Sequence, residues 1–261
     1  MRRLRSLVHG FNLLLPPSRH GVTFLTWHLV GAGTGSPVDL DLATFRAQLE
    51  RLAWRVISFD RALEALTKGE ALLGPRVVLT FDDAFQNFTR VVWPELDRLE
   101  LPATLYVPWD FLEGRGRAPL SGADHLPPAT WEELAELVAS GRLKIGSHSL
   151  SHRNLRRVPE SELADEVETS RQRLEERLGV TVDTFCYPQG KRGRAAEQAV
   201  RRAYASAVVG GGRRQRPGRF DPHRIERLPL RRDTPEELER VLASPVWLEE
   251  VVASGLRQLR R

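Results

Sequence analysis

Between residues 22 and 230, short apolar runs alternate with segments of helical periodicity, and this alternation limits the available folds more than any other feature of the chain. VTFLTWHLV (22–30), RVISF (55–59), RVVLTF (76–81), PATLYVP (102–108), RLKIGS (142–147), VDTFCYP (182–188), ASAVV (205–209) and RIERLPL (224–230) have the length and composition of strands. The segments between them, over 40–53, 60–68, 87–100, 130–140, 159–179 and 194–203, place apolar residues three and four apart, and further helices are expected at 235–243 and 246–259. Asp39 or Asp41 is suited to cap the first helix, while Pro159 or Ser161 opens the long charged one and Gly179 closes it. RVVLTF has no polar alternation, as expected of a strand covered on both faces. Repeated strand–helix units require a parallel sheet, either open or closed as a barrel. Stretches 113–128 and 210–222, rich in Gly, Pro and charge, read as loops.

Several function classes are excluded or left without support. The single cysteine, Cys186, precludes an intramolecular disulfide and reads as a small buried apolar residue. All but three of the 39 basic residues are arginine, and the pI near 9.9 permits weak attraction to anionic polymers or membrane surfaces. No nucleic-acid-binding motif accompanies that charge. Residues 1–21 form a basic arm whose apolar patch is broken by His9, Gly10 and Asn12 and lacks a small-residue cleavage site. The arm is suited to peripheral membrane contact, and the lack of a clear signal peptide favours a cytoplasmic or membrane-associated setting over an extracytoplasmic one. Residues 22–261 are read as one domain.

The chemistry-bearing residues fall at the ends of expected strands. TFDDAF ends RVVLTF on Asp82 and Asp83; two adjacent carboxylates repel and resist burial unless something cationic is near. SHSLSH sets His148 and His152 four apart after RLKIGS, Trp27-His28 lies late in the first apolar run, and FCYPQG ends another on Tyr187-Pro188. In parallel α/β folds the C-terminal strand edge is where sites are built. One carboxylate and two imidazoles suit Zn²⁺ or a similar divalent ion and leave a coordination position for water and substrate. The second aspartate then stays free to take a proton.

Taken together, TFDDAF, SHSLSH and FCYPQG, in this order and at these separations, resemble the polysaccharide deacetylases of the NodB homology type, and the likeness extends over about residues 22–233. The resemblance implies a distorted (β/α) barrel of about seven parallel strands, TIM-barrel-like, and a metal-dependent hydrolase that removes acetyl groups, N-acetyl in the first instance, from a sugar, polysaccharide or glycoconjugate. It makes Asp82 the general base and Asp83, His148 and His152 the ligands of a divalent metal, Zn²⁺ foremost, with Co²⁺, Ni²⁺ or Mn²⁺ as alternatives. It assigns the backbone N–H of Tyr187 to the developing oxyanion, and lets Thr80 and Ser147 orient the ligands.

Three departures from the family pattern stand out. Ala84 follows the aspartate pair where many members have Gly. Cys186 stands where many have an arginine that pairs with the catalytic aspartate, and Arg227 is the residue that could supply that charge. The histidine of the C-terminal Leu-x-His pattern is missing, which leaves His28 and His223 as general acids, His28 being better placed. A non-catalytic glycan-binding relative, or another metal hydrolase such as a phosphoesterase, are the competing readings. The loops at 113–128 and 210–222 are expected to line the substrate groove; their arginines, Arg115, Arg117, Arg213, Arg214, Arg216 and Arg219, read first as solvated loop residues and alternatively as contacts to an anionic glycan or lipid phosphate.

Overall fold

The first strand, β1 (Val22–Trp27), is buried along its whole length, and its two faces serve different purposes. Phe24 turns inward and meets Phe59 edge-on at 5.4 Å, whereas Trp27 turns outward and stacks on Phe81 of the next strand at 5.3 Å. A strand apolar on both sides fits only between two layers. The computed structural model describes residues 21–243, apart from 213, 219 and 231–233. The chain order is β1, α1 (Leu42–Leu52), α2 (Phe59–Lys68), β2 (Arg76–Phe81), α3 (Trp93–Arg98), β3 (Ala103–Val107), α4 (Trp131–Ala139), β4 (Leu143–Ser147), α5 (Ser170–Leu178), β5 (Thr184–Cys186), α6 (Arg194–Ala203), β6 (Ser206–Gly210), β7 (Ile225–Pro229) and α7 (Pro235–Ala243). The seven strands are parallel, pair in sequence order, and close as a barrel when β7 joins β1 through Phe24↔Arg227 and Leu25↔Leu228. The fold expected from the resemblance is the one observed.

Local chemistry fixes the helices. Asp41 caps α1 by accepting the Ala43 N–H, and the helix buries Phe45, Leu49 and Leu52 against the outer face of the barrel. Thr130 and Glu133 form a reciprocal capping box at α4. Gly69 and Gly179 end α2 and α5 in the left-handed conformation that glycine adopts without strain.

The barrel departs from the sequence reading in four places. The run 22–30 is not one strand: the chain bends at His28, and Leu29–Val30 pairs instead with Asp39–Leu40 in a small separate ribbon. RVISF contributes only an isolated bridge between Val56 and Val77, because Ser58 caps a helix that begins at Phe59. That helix, α2, turns Phe59, Ala62 and Leu66 into the inward-facing cluster of Val22, Phe24 and Val78, so it seals the N-terminal end of the barrel. The helix expected at 87–100 opens as a wide π turn over Phe88–Val92 before α3, where Pro94 removes a backbone donor from the first turn. The loop at 210–222 leaves the C-terminal rim at Gly210, beside Arg227, and crosses to the N-terminal end of the barrel. Gln215 pairs with Val22 at the start of β1, and Arg214 is buried beside Thr23. Arg213, Arg219, the arm at 1–20 and the helix expected at 246–259 lie outside the described residues. Among the described residues no helix is long and apolar enough to cross a membrane.

The ladder is uneven in a way that matters for function. β1 and β2 share a register from Val22↔Arg76 to Trp27↔Phe81, whereas β4 and β5 share only Ser147↔Phe185. Beyond that pair the two strands diverge, and a histidine side chain fills the gap.

Candidate active site

β2 and β4 deliver their carboxylates and imidazoles to the same place. Asp82 leaves β2 with its N–H on the Trp27 carbonyl at 3.1 Å, and Asp83 places its N–H on the Tyr106 carbonyl at 3.1 Å. Both bonds continue the barrel ladder, so the aspartates are held at the rim rather than in a mobile turn. Both are buried. Asp83 and Ala84 then adopt left-handed backbone, with φ of 77° and 51°, which reverses the chain sharply and sends the two carboxylates in different directions. Loop 113–128 packs beside them: the Ala129 N–H reaches the Ala84 carbonyl at 2.9 Å, and Phe85 bridges to Pro128. Its Arg115 is engaged by Asp110 and Glu113.

His148 follows β4 directly. Its N–H donates to the Val107 carbonyl at 2.9 Å, and its Nδ1 lies 2.8 Å from the Cys186 carbonyl, bridging the gap between β4 and β5. With a proton on Nδ1 for that carbonyl, Nε2 is left as the free lone pair. His152 Nε2 lies 3.3 Å from His148 Nε2, and each is 3.5 Å from Asp83 Oδ1. Tetrahedral bonds of about 2.1 Å hold their donors about 3.4 Å apart. The three atoms therefore already have the spacing of three corners of a metal tetrahedron, and the donor set fits a divalent ion.

Without an ion the electrostatics are frustrated. Burial disfavours a charged His148, yet Cys186, Asp83 and Asp82 outweigh it and carry the imidazole well above its ordinary range. Burial and the His148 charge push His152 the other way, to about 4. Burial also pushes Asp83 up, but the three surrounding imidazoles, His148, His28 and His152, bring it below the usual carboxylate range. The proton that His148 retains stands in for a cation shared among the two imidazoles and the Asp83 carboxylate.

Asp82 belongs to a different network. Arg227, from the middle of β7, grips both of its oxygens at 2.7 Å. Burial raises the Asp82 pKa, and the guanidinium more than reverses it, so the carboxylate stays ionised. Arg227 also donates to Thr80 Oγ1 and Cys186 Sγ, each at 3.0 Å, and lies over the Tyr106 ring at 5.2 Å. Thr80 in turn donates to the Leu25 carbonyl at 2.7 Å. Cys186 is buried and small, which gives the arginine room to cross the barrel from β7. His28, at the bend after β1, brings Nε2 to 3.7 Å from Asp82 Oδ2, its side chain 24% exposed.

The remaining expectations divide. Ser147 shares a hydrogen bond of 2.6 Å with Ser170 and accepts the Ser149 N–H, so it supports the turn after β4. The Tyr187 side chain faces outward against Phe185 at 5.3 Å, which leaves only its backbone at the site. Its N–H shares a peptide plane with the Cys186 carbonyl that His148 uses, and points the opposite way. His223 is not at the site. It precedes β7 at the N-terminal end, with Nε2 on the Tyr204 carbonyl at 2.8 Å. Tyr106 goes unnoticed in the sequence because a tyrosine within ATLYV reads as core. Its hydroxyl contacts Thr184 Oγ1 at 3.1 Å, and a Cβ on Gly146 would come within 2.5 Å of its ring.

Residues 70–208, more than half of the chain, match the family model described as polysaccharide deacetylase. A poly-beta-1,6-N-acetyl-D-glucosamine N-deacetylase of Escherichia coli (strain K12) is 26% identical over 144 residues, 51% of this chain; the chain spans only 21% of that relative's length. Two solved structures share the fold. The Streptococcus pyogenes deacetylase PplD, in complex with acetate, superposes with a TM-score of 0.75 at 19% identity, covering 86% of this chain and 99% of that one. IcaB from Ammonifex degensii superposes with a TM-score of 0.74 at 22% identity, covering 86% and 98%. By the extent of the family match, the chain belongs to the polysaccharide deacetylase family.

Proposed function

We propose that this protein removes acetyl groups from an N-acetylated amino sugar within a polysaccharide or glycoconjugate. The observation that carries the reading is the division of labour at the rim. Asp83, His148 and His152 converge on one point, while the adjacent Asp82 is held ionised by Arg227 and remains outside that set. Family membership and the N-deacetylase name of the Escherichia coli relative support the substrate class.

Asp83, His148 and His152 would hold the ion, with Zn²⁺ the best match to one carboxylate and two imidazoles and Co²⁺, Ni²⁺ or Mn²⁺ as substitutes. When bound, a divalent ion supplies Lewis acidity to a carbonyl and to water. Asp82 accepts the proton of the attacking water. Its pairing with Arg227 ensures that it is a carboxylate, and not a carboxylic acid, when substrate arrives. The family resemblance assigns the Tyr187 N–H to charge developing on the acetyl oxygen, but that N–H points away from His148 and so gains no support from the geometry. An amine leaves poorly without a proton, and His28, facing the same aspartate from a partly exposed bend, supplies it. A protein that only binds glycans needs neither the base nor the ligand set, so the catalytic reading is favoured over that alternative.

Asp82→Asn and His148→Ala test the proposal directly. Acetate release from an N-acetylglucosamine polymer or an aryl acetate is expected to fall by about 10²–10⁴-fold in Asp82→Asn and to disappear in His148→Ala, with the fold intact by circular dichroism. Acetate release that survives in both variants overturns it.

A further inference from the structure

The two histidines of the ligand set are held very differently. His148 is fixed by the barrel itself, through its N–H on Val107 and its ring on Cys186. His152 stands four residues out on a loop in which Ser149 and His152 both have left-handed backbone, φ 68° and 56°. Side chains with a Cβ rarely adopt this conformation, so the surroundings must impose it. One restraint lies within the loop, where Ser149 Oγ accepts the His152 N–H at 3.0 Å.

Four more restraints come from a single residue outside every motif. Glu166 is 1% exposed. Its Oε2 accepts the Ser151 N–H at 3.1 Å, and its Oε1 accepts both the Ser151 hydroxyl and the Arg153 Nε–H, the latter at 2.8 Å. Its backbone carbonyl accepts the Leu150 N–H at 3.0 Å. Leu150, Ser151 and Arg153 are thereby all tied to Glu166, and His152 lies among them. Glu166 sits in a π turn, Asp165–Thr169, at the entry to α5. Such a wide turn frees a carbonyl from the regular helix ladder, and here the loop uses it. A buried carboxylate is costly unless it is paired and fully hydrogen-bonded. The three donors from the loop meet that need.

We propose that Glu166 is a positioning residue for the metal ligand His152: it locks the 149–153 loop in its left-handed form so that His152 Nε2 meets His148 and Asp83. The inference rests on the reading of Asp83, His148 and His152 as a metal site.

Zn²⁺ titration of the whole chain, by calorimetry or chelator competition, tests the role without reference to catalysis. Glu166→Gln keeps the shape and loses the charge; Glu166→Ala loses both. Affinity for Zn²⁺ is expected to fall by about 10–100-fold, the alanine more than the glutamine. In a His152→Ala background the same Glu166 substitutions are expected to change affinity by less than about twofold, because Glu166 acts through His152. A purely structural role would lower the melting temperature without this dependence. Wild-type affinity in the Glu166 variants, or an equal loss with and without His152, overturns the proposal; should the alanine variant fail to fold, the glutamine cycle decides alone. Failure of the wild-type chain to bind Zn²⁺ would instead sink the metal-site reading, and this inference with it.

Discussion

At the N-terminal end of the barrel, α2 presses Phe59, Ala62 and Leu66 onto Val22, Phe24 and Val78, and the seal is apolar. At the C-terminal end Asp82, Asp83, His148 and Arg227 are all buried, and Asp83, Ala84, Ser149, His152 and Gln189 are in left-handed backbone. The same strands supply both ends. One end gains stability from apolar area removed from water, at about 25 cal/mol per Å². The other concentrates charge and strain, which persist only because neighbouring groups answer each one. The contrast implies that the lower end stabilises the barrel while the upper end uses part of that stability to hold groups in reactive positions.

Arg227→Leu should break the upper end most severely. Asp82 would be left buried without its counter-ion, at a cost of about 3–5 kcal/mol in unfolding free energy by denaturant titration. Adding Asp82→Leu should recover much of that loss while leaving no acetate release, because two apolar groups do not need each other as the ions do. A single-variant cost below about 1 kcal/mol would mean that the pair behaves like a surface ion pair, and the contrast would fail.

Leu66→Ala probes the opposite end. Removing this buried side chain should cost about 3 kcal/mol, with Zn²⁺ affinity unchanged in the folded fraction. If metal affinity fell together with stability, the two ends would be coupled through the barrel and could not be treated as separate devices.

How much of this was legible in the sequence follows from how local each signal is. Asp82, Asp83, His148 and His152 could be named because each sits just past an apolar run, and strand ends are where parallel folds place chemistry. RVISF misled because composition cannot distinguish a strand from a stretch crossing beneath a barrel; the Ser58 cap was the available clue. The 210–222 loop was recognisable as a loop, but nothing in its charge says which end of the barrel it visits. Arg227 could be named only through the family resemblance, because it pairs with Asp82 across a separation of 145 residues, a contact that exists only once β7 closes on β1. Tyr106 and Glu166 were not legible even that way. A tyrosine in an apolar strand and a glutamate in a charged helix are the most ordinary residues in those settings, and only burial and partners set them apart.

The finest test applies one chemical change to both ends. Ala65 lies in α2 with full burial, and Ala84 follows the aspartate pair, also fully buried, at φ 51°. In a helix, replacing alanine by glycine costs about 1 kcal/mol, from backbone freedom in the unfolded chain and the lost methyl. At Ala84 the same entropy is lost, but glycine relieves left-handed strain of about 1 kcal/mol or more. Ala84→Gly is therefore expected to change stability by less than about 0.5 kcal/mol, and Ala65→Gly to lower it by about 1 kcal/mol. Equal losses in parallel denaturation curves would show that the left-handed turn at the rim stores no strain. Near-neutrality at Ala84 beside a clear loss at Ala65 would locate the strain at the catalytic end, beside the carboxylates whose directions it sets.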